Sequence, residues 1–293
     1  MSPCNNRPIL LLENALMYNF FMRPETISLL CNPYTGEDLR LVENQLVGIE
    51  TNQIFPIKNG IPSFMSEDIK NGRSKWFRYF YDAVAITYDP IVAVGDYLGI
   101  NSEGNIRREY ISQLDIRPGD KVLETAVGTA SNFLCLPPHG EYFGIDISLK
   151  MLYLAQRKIK NHHRRAELFH GDGAYLPYKA NTFDLVFQMG GLQFYSDPYQ
   201  GVSEMARVAK PGTTIHIIDE IRSIKRTIRQ NPKIPAKRIY SLADLALLLP
   251  DQIEAPHISQ FPGNDFYLIS FVKPKILHFS LYNFESSSKK CSW

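Results

Sequence analysis

Between Lys121 and Asn132 the chain reads KVLETAVGTASN, which puts Glu124 at the end of an apolar run and Gly128 in the turn that follows. Downstream, YFGIDIS is a second apolar run that ends on Asp146, with a helix start directly after it. Strand, glycine turn, strand and terminal carboxylate describe a nucleoside-binding cleft. Gly128 lets the backbone pass close beneath a ligand because it has no Cβ, and Asp146 can accept hydrogen bonds from two ribose hydroxyls. A pyrophosphate needs G-x-G-x-x-G on a helix N-terminus. Here Ala126 and Ala130 flank a single glycine and no Walker Lys-Ser/Thr lies nearby, which argues against a phosphate cradle. Glu124 adds a negative charge that would repel a phosphate and favour an amine or a sulfonium. An adenosine-like ligand carrying a positive charge is the expectation.

These residues resemble a family. ETAVGTA (residues 124–130) is similar to the first motif of class I S-adenosylmethionine-dependent methyltransferases, acidic-x-Gly-x-Gly-x-Gly, with alanine at the outer glycine places. The resemblance continues with Asp146 at the ribose-binding acid and GDGAYLPYKANTFDLVF (171–187) at the adenine-contacting turn and fourth strand. SEMARVAKPGTTIHIIDE (203–220) then follows at the E-x-x-R-V-L-K-P-G-G helix and fifth strand. Upstream, YDAVAITYDP (81–90) looks like the segment that precedes the first motif in ubiquinone and menaquinone C-methyltransferases and their small-molecule relatives.

The resemblance covers roughly Tyr81 to Lys273 and implies S-adenosyl-L-methionine as cofactor and transfer of a methyl group to a small-molecule acceptor through C, O or N. It implies that Tyr88 lies near the methionine portion, that Asp172 and Gly173 meet the adenine, and that Glu124, Gly128, Asp146, Ile147 and Gln188 complete the cofactor set. No catalytic base is assigned. Tyr195, Asp197, His216, Asp219 and Glu220 are candidates, with His216 inside an apolar strand where a core role is the more natural one. An RNA methyltransferase, a binding-only regulatory protein and a nicotinamide dehydrogenase are the alternatives. The strand-four loop reads QMGGLQFY and carries no N-P-P-Y or cysteine motif, which argues against RNA.

The elements that must position these residues alternate. Strands are expected at Lys121–Glu124, Tyr142–Asp146, Ala166–His170, Phe183–Gln188 and Thr214–Asp219. Helices are expected near Ser131–Leu136, at Leu149–Asn161 with Ser148 as N-cap, briefly after Asp172, at Tyr199–Val208 and at Ser241–Leu249. An antiparallel pair, Ile253–Ser259 and Asp265–Val272, closes the order. The fold class is α/β: a Rossmann-like, doubly wound, mostly parallel seven-stranded sheet with a C-terminal antiparallel hairpin. The ligand crevice then lies at the carboxyl ends of the strands, where the order reverses.

Residues 24–66 read as a small β-rich unit, with turn signals around Pro33–Gly36 and Asn59–Gly60. This stretch looks like the zinc-ribbon-like domain that precedes many such enzymes. Cys31, Gly36 and FPIKNGIP (55–62) match, whereas Tyr34, Gly48 and Thr51 stand at the other ligand places, so the unit is expected to hold no metal. Residues 1–23 are an extension, 67–110 a helical cap dense in aromatics, 111–273 the methyltransferase-type domain and 274–293 a disordered tail.

Composition sets outer bounds. The 293 residues are 44% hydrophobic with a net charge of +2, ample for a buried core and silent about partners. The four cysteines, Cys4, Cys31, Cys135 and Cys291, show no C-x-x-C and are expected to be reduced thiols. No run reaches the roughly 18 apolar residues of a membrane span, and no signal-peptide cleavage pattern appears, so a cytoplasmic location is expected. Arg222 to Arg238 carries only positive charges, a candidate lid or a patch for an anionic surface or substrate.

Overall fold

The computed structural model describes residues 22–66, 90, 103–221, 241–261 and 265–275. Tyr88, the basic segment Arg222 to Arg238, most of the expected helical cap and nearly all of the tail lie outside these residues.

The central element is a seven-stranded sheet in the order β10-β11-β9-β8-β5-β6-β7. Its strands are β5 (Lys121–Thr125), β6 (Glu141–Asp146), β7 (Ala166–His170), β8 (Leu185–Met189), β9 (Thr214–Glu220), β10 (Glu254–Gln260) and β11 (Phe266–Val272). β5 pairs in parallel with β6 on one side and β8 on the other, so the chain order reverses at β5. β11 alone inserts antiparallel, between β9 and β10. The central β8, LVFQM, is buried at every position, as a strand covered on both faces must be.

The helices follow from capping and apolar spacing. In α3 (Leu149–Asn161) the Ser148 side chain accepts from the Met151 N–H, and Met151, Leu152, Ala155 and Ile159 form one buried stripe. In α4 (Pro198–Val208) Asp197 caps the N–H groups of Tyr199 at 3.0 Å and Gln200 at 3.1 Å, and Pro198 occupies the first helical position, where its missing N–H costs nothing. The described part of the cap region is α2 (Glu103–Glu109).

Three expected helices differ. After Asp172 there is a turn rather than a helix, because the carboxylate accepts from the Ala174 N–H at 3.0 Å and so competes with helical pairing. The stretch after Ser131 shortens to a single 3-10 turn, Asn132–Leu134, with Pro137 and Pro138 behind it. Residues Leu242–Leu248 are likewise 3-10, stopped before Pro250.

The preceding residues form α1 (Pro24–Ile27) and an antiparallel sheet of β1 (Leu39–Val42), β2 (Gln45–Gly48), β3 (Ile54–Lys58) and β4 (Ile61–Pro62). A carboxylate holds its turns. Glu37 Oε2 accepts from the N–H groups of Glu50 at 2.6 Å and Thr51 at 2.8 Å, and Oε1 accepts from Asn32 Nδ2 at 2.8 Å and from the Thr51 hydroxyl. The Thr51 hydroxyl is the main reason the Glu37 pKa falls to about 2. Gly48 is required beside it, since a Cβ there would stand 2.5 Å from Glu37 Oε1. Gly48 and Thr51, which cannot ligate zinc, thus make room for this carboxylate and hydrogen-bond it. Among the described residues no group of three or more His, Cys, Asp or Glu side chains is placed to hold a metal ion. Cys31 and Cys135 are free thiols.

The small sheet shares its core with the large one. Leu30, Leu46, Phe55 and Phe64 pack in one cluster with Phe143, Phe169 and Tyr178. Beyond β4, Ser63 bridges to His170 in parallel, and the Phe64 N–H donates to the His170 carbonyl at 2.8 Å, so the chain after β4 runs alongside the β7 edge. No described helix is long and apolar enough to cross a membrane.

Candidate functional site

The turn after β5 has three left-handed residues in alternation: Ala126 at φ 56°, Gly128 at 54° and Ala130 at 59°. The shape expected of three glycines is therefore kept with two alanines. Space over Gly128 is open, since a Cβ there would meet nothing within 4 Å. Ala126 faces Gly191, where a Cβ would stand 3.0 Å from the Ala126 methyl, so the loop after β8 is glycine where the first turn is not.

Asp146 ties this turn to α3. Its Oδ2 accepts from the Gly128 N–H and its Oδ1 from the Ser148 N–H, both at 2.8 Å. A carboxylate oxygen can accept more than one hydrogen bond, so these contacts orient the group without disabling it toward a diol. Behind Asp146, His170 lies between the Ile147 carbonyl at 3.1 Å and the Ser63 hydroxyl at 2.8 Å, linking the loop to the small sheet.

Glu124 is 1% exposed. Its Oε1 accepts from Asn132 Nδ2 at 2.6 Å, and Asn132 Oδ1 accepts from Arg107 Nε at 2.8 Å. Oε2 has no partner. Burial pushes the Glu124 pKa up to about 8, against the downward pull of Asn132 and Arg107. The cleft wall thus carries a carboxyl group that is largely protonated at neutral pH and that a cation beside it would help to ionise.

Glu124, Gly128, Asp146, Ile147, Asp172 and Gly173 all line one cleft at the carboxyl ends of β5, β6 and β7. Gln188 does not line it. It is fully buried next to Thr125, its carboxamide without a hydrogen-bond partner among the described residues, and its neighbour Met189 reaches the cleft instead. The Asp172 carboxylate is 2% exposed and accepts from the N–H groups of Ala174 and Ser196, with burial raising its pKa. Gly173 and Gly201 stand on the ring of Tyr195, where a Cβ at either would come within 2.3 Å of a ring carbon.

The far half of the cleft is formed by the ends of β8 and β9. Asp219, 1% exposed, accepts from the N–H groups of Gly191 at 3.2 Å and Leu192 at 3.0 Å, which pins the loop after β8. Burial pushes its pKa up to about 6. Met189, Phe194, Phe266 and Glu220 also line this half. Of the other acid–base candidates, Tyr195 is held far above its ordinary value by burial, and Asp197 is spent as a helix cap. His216 is outside the cleft, bonded to the Tyr110 hydroxyl at 2.7 Å, and burial lowers its pKa to about 4. Arg107 and Asn132 were not foreseen. Asn132 carried a weak signal in closing the KVLETAVGTASN motif, whereas Arg107 is brought in by α2 and carried none.

Comparison with known proteins agrees with this geometry. Residues 123–217 match the family described as "Methyltransferase domain". The demethylmenaquinone methyltransferase of Bacillus mycoides is 33% identical over 141 residues, 46% of this chain and 60% of that protein. The demethylmenaquinone methyltransferase of Streptomyces avermitilis is 36% identical over 140 residues, 47% of this chain and 58% of that protein. The matched stretch therefore spans about 60% of the length of these curated relatives. Among solved structures, the 4+2 cyclase SpnF superposes with a TM-score of 0.53 at 15% identity, over 69% of this chain and 96% of that one, a likeness of fold. Residues 123–217 thus carry the sequence pattern of a methyltransferase domain, set in a Rossmann-like, seven-stranded, mostly parallel sheet.

Proposed function

We propose that this chain is an S-adenosylmethionine-dependent methyltransferase acting on a small molecule. The observation that carries the reading is Glu124 Oε2, a buried carboxyl oxygen on the wall of the cleft with no hydrogen-bond partner among the described residues. An uncompensated buried charge is costly, and such groups cluster at functional sites. An α-ammonium group would complete it. Arg107, on the same cleft wall, offers the opposite charge for an α-carboxylate, so the two match the amino-acid head group of the cofactor. Asp146 and the open space over Gly128 suit its ribose.

When bound, the cofactor supplies a methyl group on a good leaving group. The protein's task is then to hold the acceptor in line and exclude water. In the far half of the cleft Met189, Phe194 and Phe266 supply apolar and aromatic contacts, in keeping with a ring acceptor of the quinol kind that the relatives' names indicate. Glu220 on the same wall is the group we assign to take a proton from a ring hydroxyl.

Calorimetry tests the assignment. Heat is expected with S-adenosylmethionine and S-adenosylhomocysteine and none with NAD, together with transfer of a labelled methyl group to a demethylated naphthoquinol. Binding of NAD alone would refute the cofactor, and binding of the methyl donor without transfer to any metabolite would leave a binding protein.

A further inference from the structure

The amino ends of β6 and β7, opposite the cleft, carry a feature that methyl transfer does not use. Residues 157–165 read RKIKNHHRR, with no carboxylate among them. They form the last turns of α3 and its connection to β7. Arg157, Lys160, His162, His163 and Arg165 are exposed. The negative end of the α3 dipole accounts for the two lysines in its last turn. Arg164 and Arg165 lie beyond the helix and are not explained by it. Arg164 donates to the carbonyls of Phe133 at 2.7 Å, Leu136 and Pro137 and, among the described residues, pairs with no acid.

Beside this run is a groove of about 1020 Å³. Its lining includes the buried Ile61, Pro62 and Leu168 and the exposed Pro138, and His163, Arg164 and Arg165 stand on its rim. The two acids that line it, Glu141 and Glu167, are both already bonded to Arg23. One guanidinium balances only one of them, so with Arg164 and Arg165 the lining carries three arginines against two carboxylates, a net charge of +1.

We propose that this groove and its basic rim dock the protein on an anionic phospholipid surface. Headgroup phosphates would meet the exposed Arg157, Lys160 and Arg165. Basic side chains near an anionic leaflet act additively and are screened by salt. Single-stranded nucleic acid fits less well, because it needs rings on which bases stack. The aromatic side chains at the groove are Tyr142 and Phe169, which are 4% and 0% exposed.

The test is co-sedimentation of the whole chain with vesicles of phosphatidylglycerol or of phosphatidylcholine, at low and physiological salt. Binding only to the anionic vesicles, weakened by salt and reduced at least tenfold in Arg157→Glu/Arg165→Glu with unchanged circular dichroism, is expected. The single variant Arg165→Glu gives the same reading at smaller size should the double variant misfold. Equal binding to both lipids, no binding at low salt, unchanged binding of the variants, or tighter binding of a single-stranded RNA than of anionic vesicles would each overturn the proposal.

Discussion

At the scale of single residues, Ala126 and Ala130 put side chains where the backbone favours glycine. A left-handed alanine costs roughly 1–2 kcal/mol, while glycine loosens the unfolded chain by about 0.4–1 kcal/mol. For Ala126, whose methyl faces the cleft, Ala126→Gly is expected to raise stability by about 0.5–1 kcal/mol. Ala130 is fully buried, and losing its methyl forfeits about 0.8 kcal/mol more, so Ala130→Gly should be near neutral. Urea denaturation of both variants decides, and equal effects would contradict the account. Glu124 makes a pH prediction. Its pKa rises from 4.5 to about 8 on folding, so its contribution to stability is fully present below 4.5 and is lost as pH climbs through 8. A cationic ligand needs the ionised form. Affinity for S-adenosylmethionine should therefore increase with pH up to about 8 and then level off, with proton release on binding. Glu124→Gln should flatten this profile and weaken binding about 10- to 100-fold, the worth of a charge-assisted hydrogen bond. A pH-independent affinity of the unaltered protein would remove Glu124 from the head-group site.

At the scale of elements, the turn after β7, the loop after β8 and α4 meet around one ring. Tyr195 fills the space that Gly173 and Gly201 leave. Gly173→Ala or Gly201→Ala is expected to cost about 1–3 kcal/mol through overpacking. Tyr195→Leu in the same chain should recover part of that loss, a coupling that a double-mutant cycle measures. Additive effects would mean that the ring does not set the spacing. Such compensation was not legible in GDGAY or in QMGGLQFYSDP taken separately, because it joins residues from elements distant in the chain. The elements themselves were legible. Leu149–Asn161 and Ala166–His170 fall where apolar spacing and the Ser148 cap put them. The missed turn after Asp172 failed for a local reason, a carboxylate that bonds the main chain two residues on.

At the scale of the whole molecule, the small sheet is part of the core rather than an appendage. Leu30, Phe55 and Phe64 pack in one cluster with Phe169 and Tyr178. A fully buried side chain of this kind is worth about 1.5–3 kcal/mol, against a typical total stability of about 5–15 kcal/mol. A chain lacking residues 22–66 is expected to lose cooperative unfolding and solubility, as read by circular dichroism and sedimentation. A truncated protein that melts at the same temperature as the full chain would show instead that the two sheets are independent.

The order of strands and helices, the glycine turn and the carboxylate at the end of β6 could be read from the chain alone, because periodicity, capping and turn chemistry act over a few residues. Tertiary structure alone decided that Arg107 reaches Glu124 through Asn132, that Gly191 faces the Ala126 methyl, that Gln188 is buried outside the cleft lining, and that Glu37 holds the small sheet. Each of these depends on which side chains lie together once the sheet is assembled, and burial at Glu124 and hydrogen bonding at Glu37 then determine whether the carboxyl group keeps its proton.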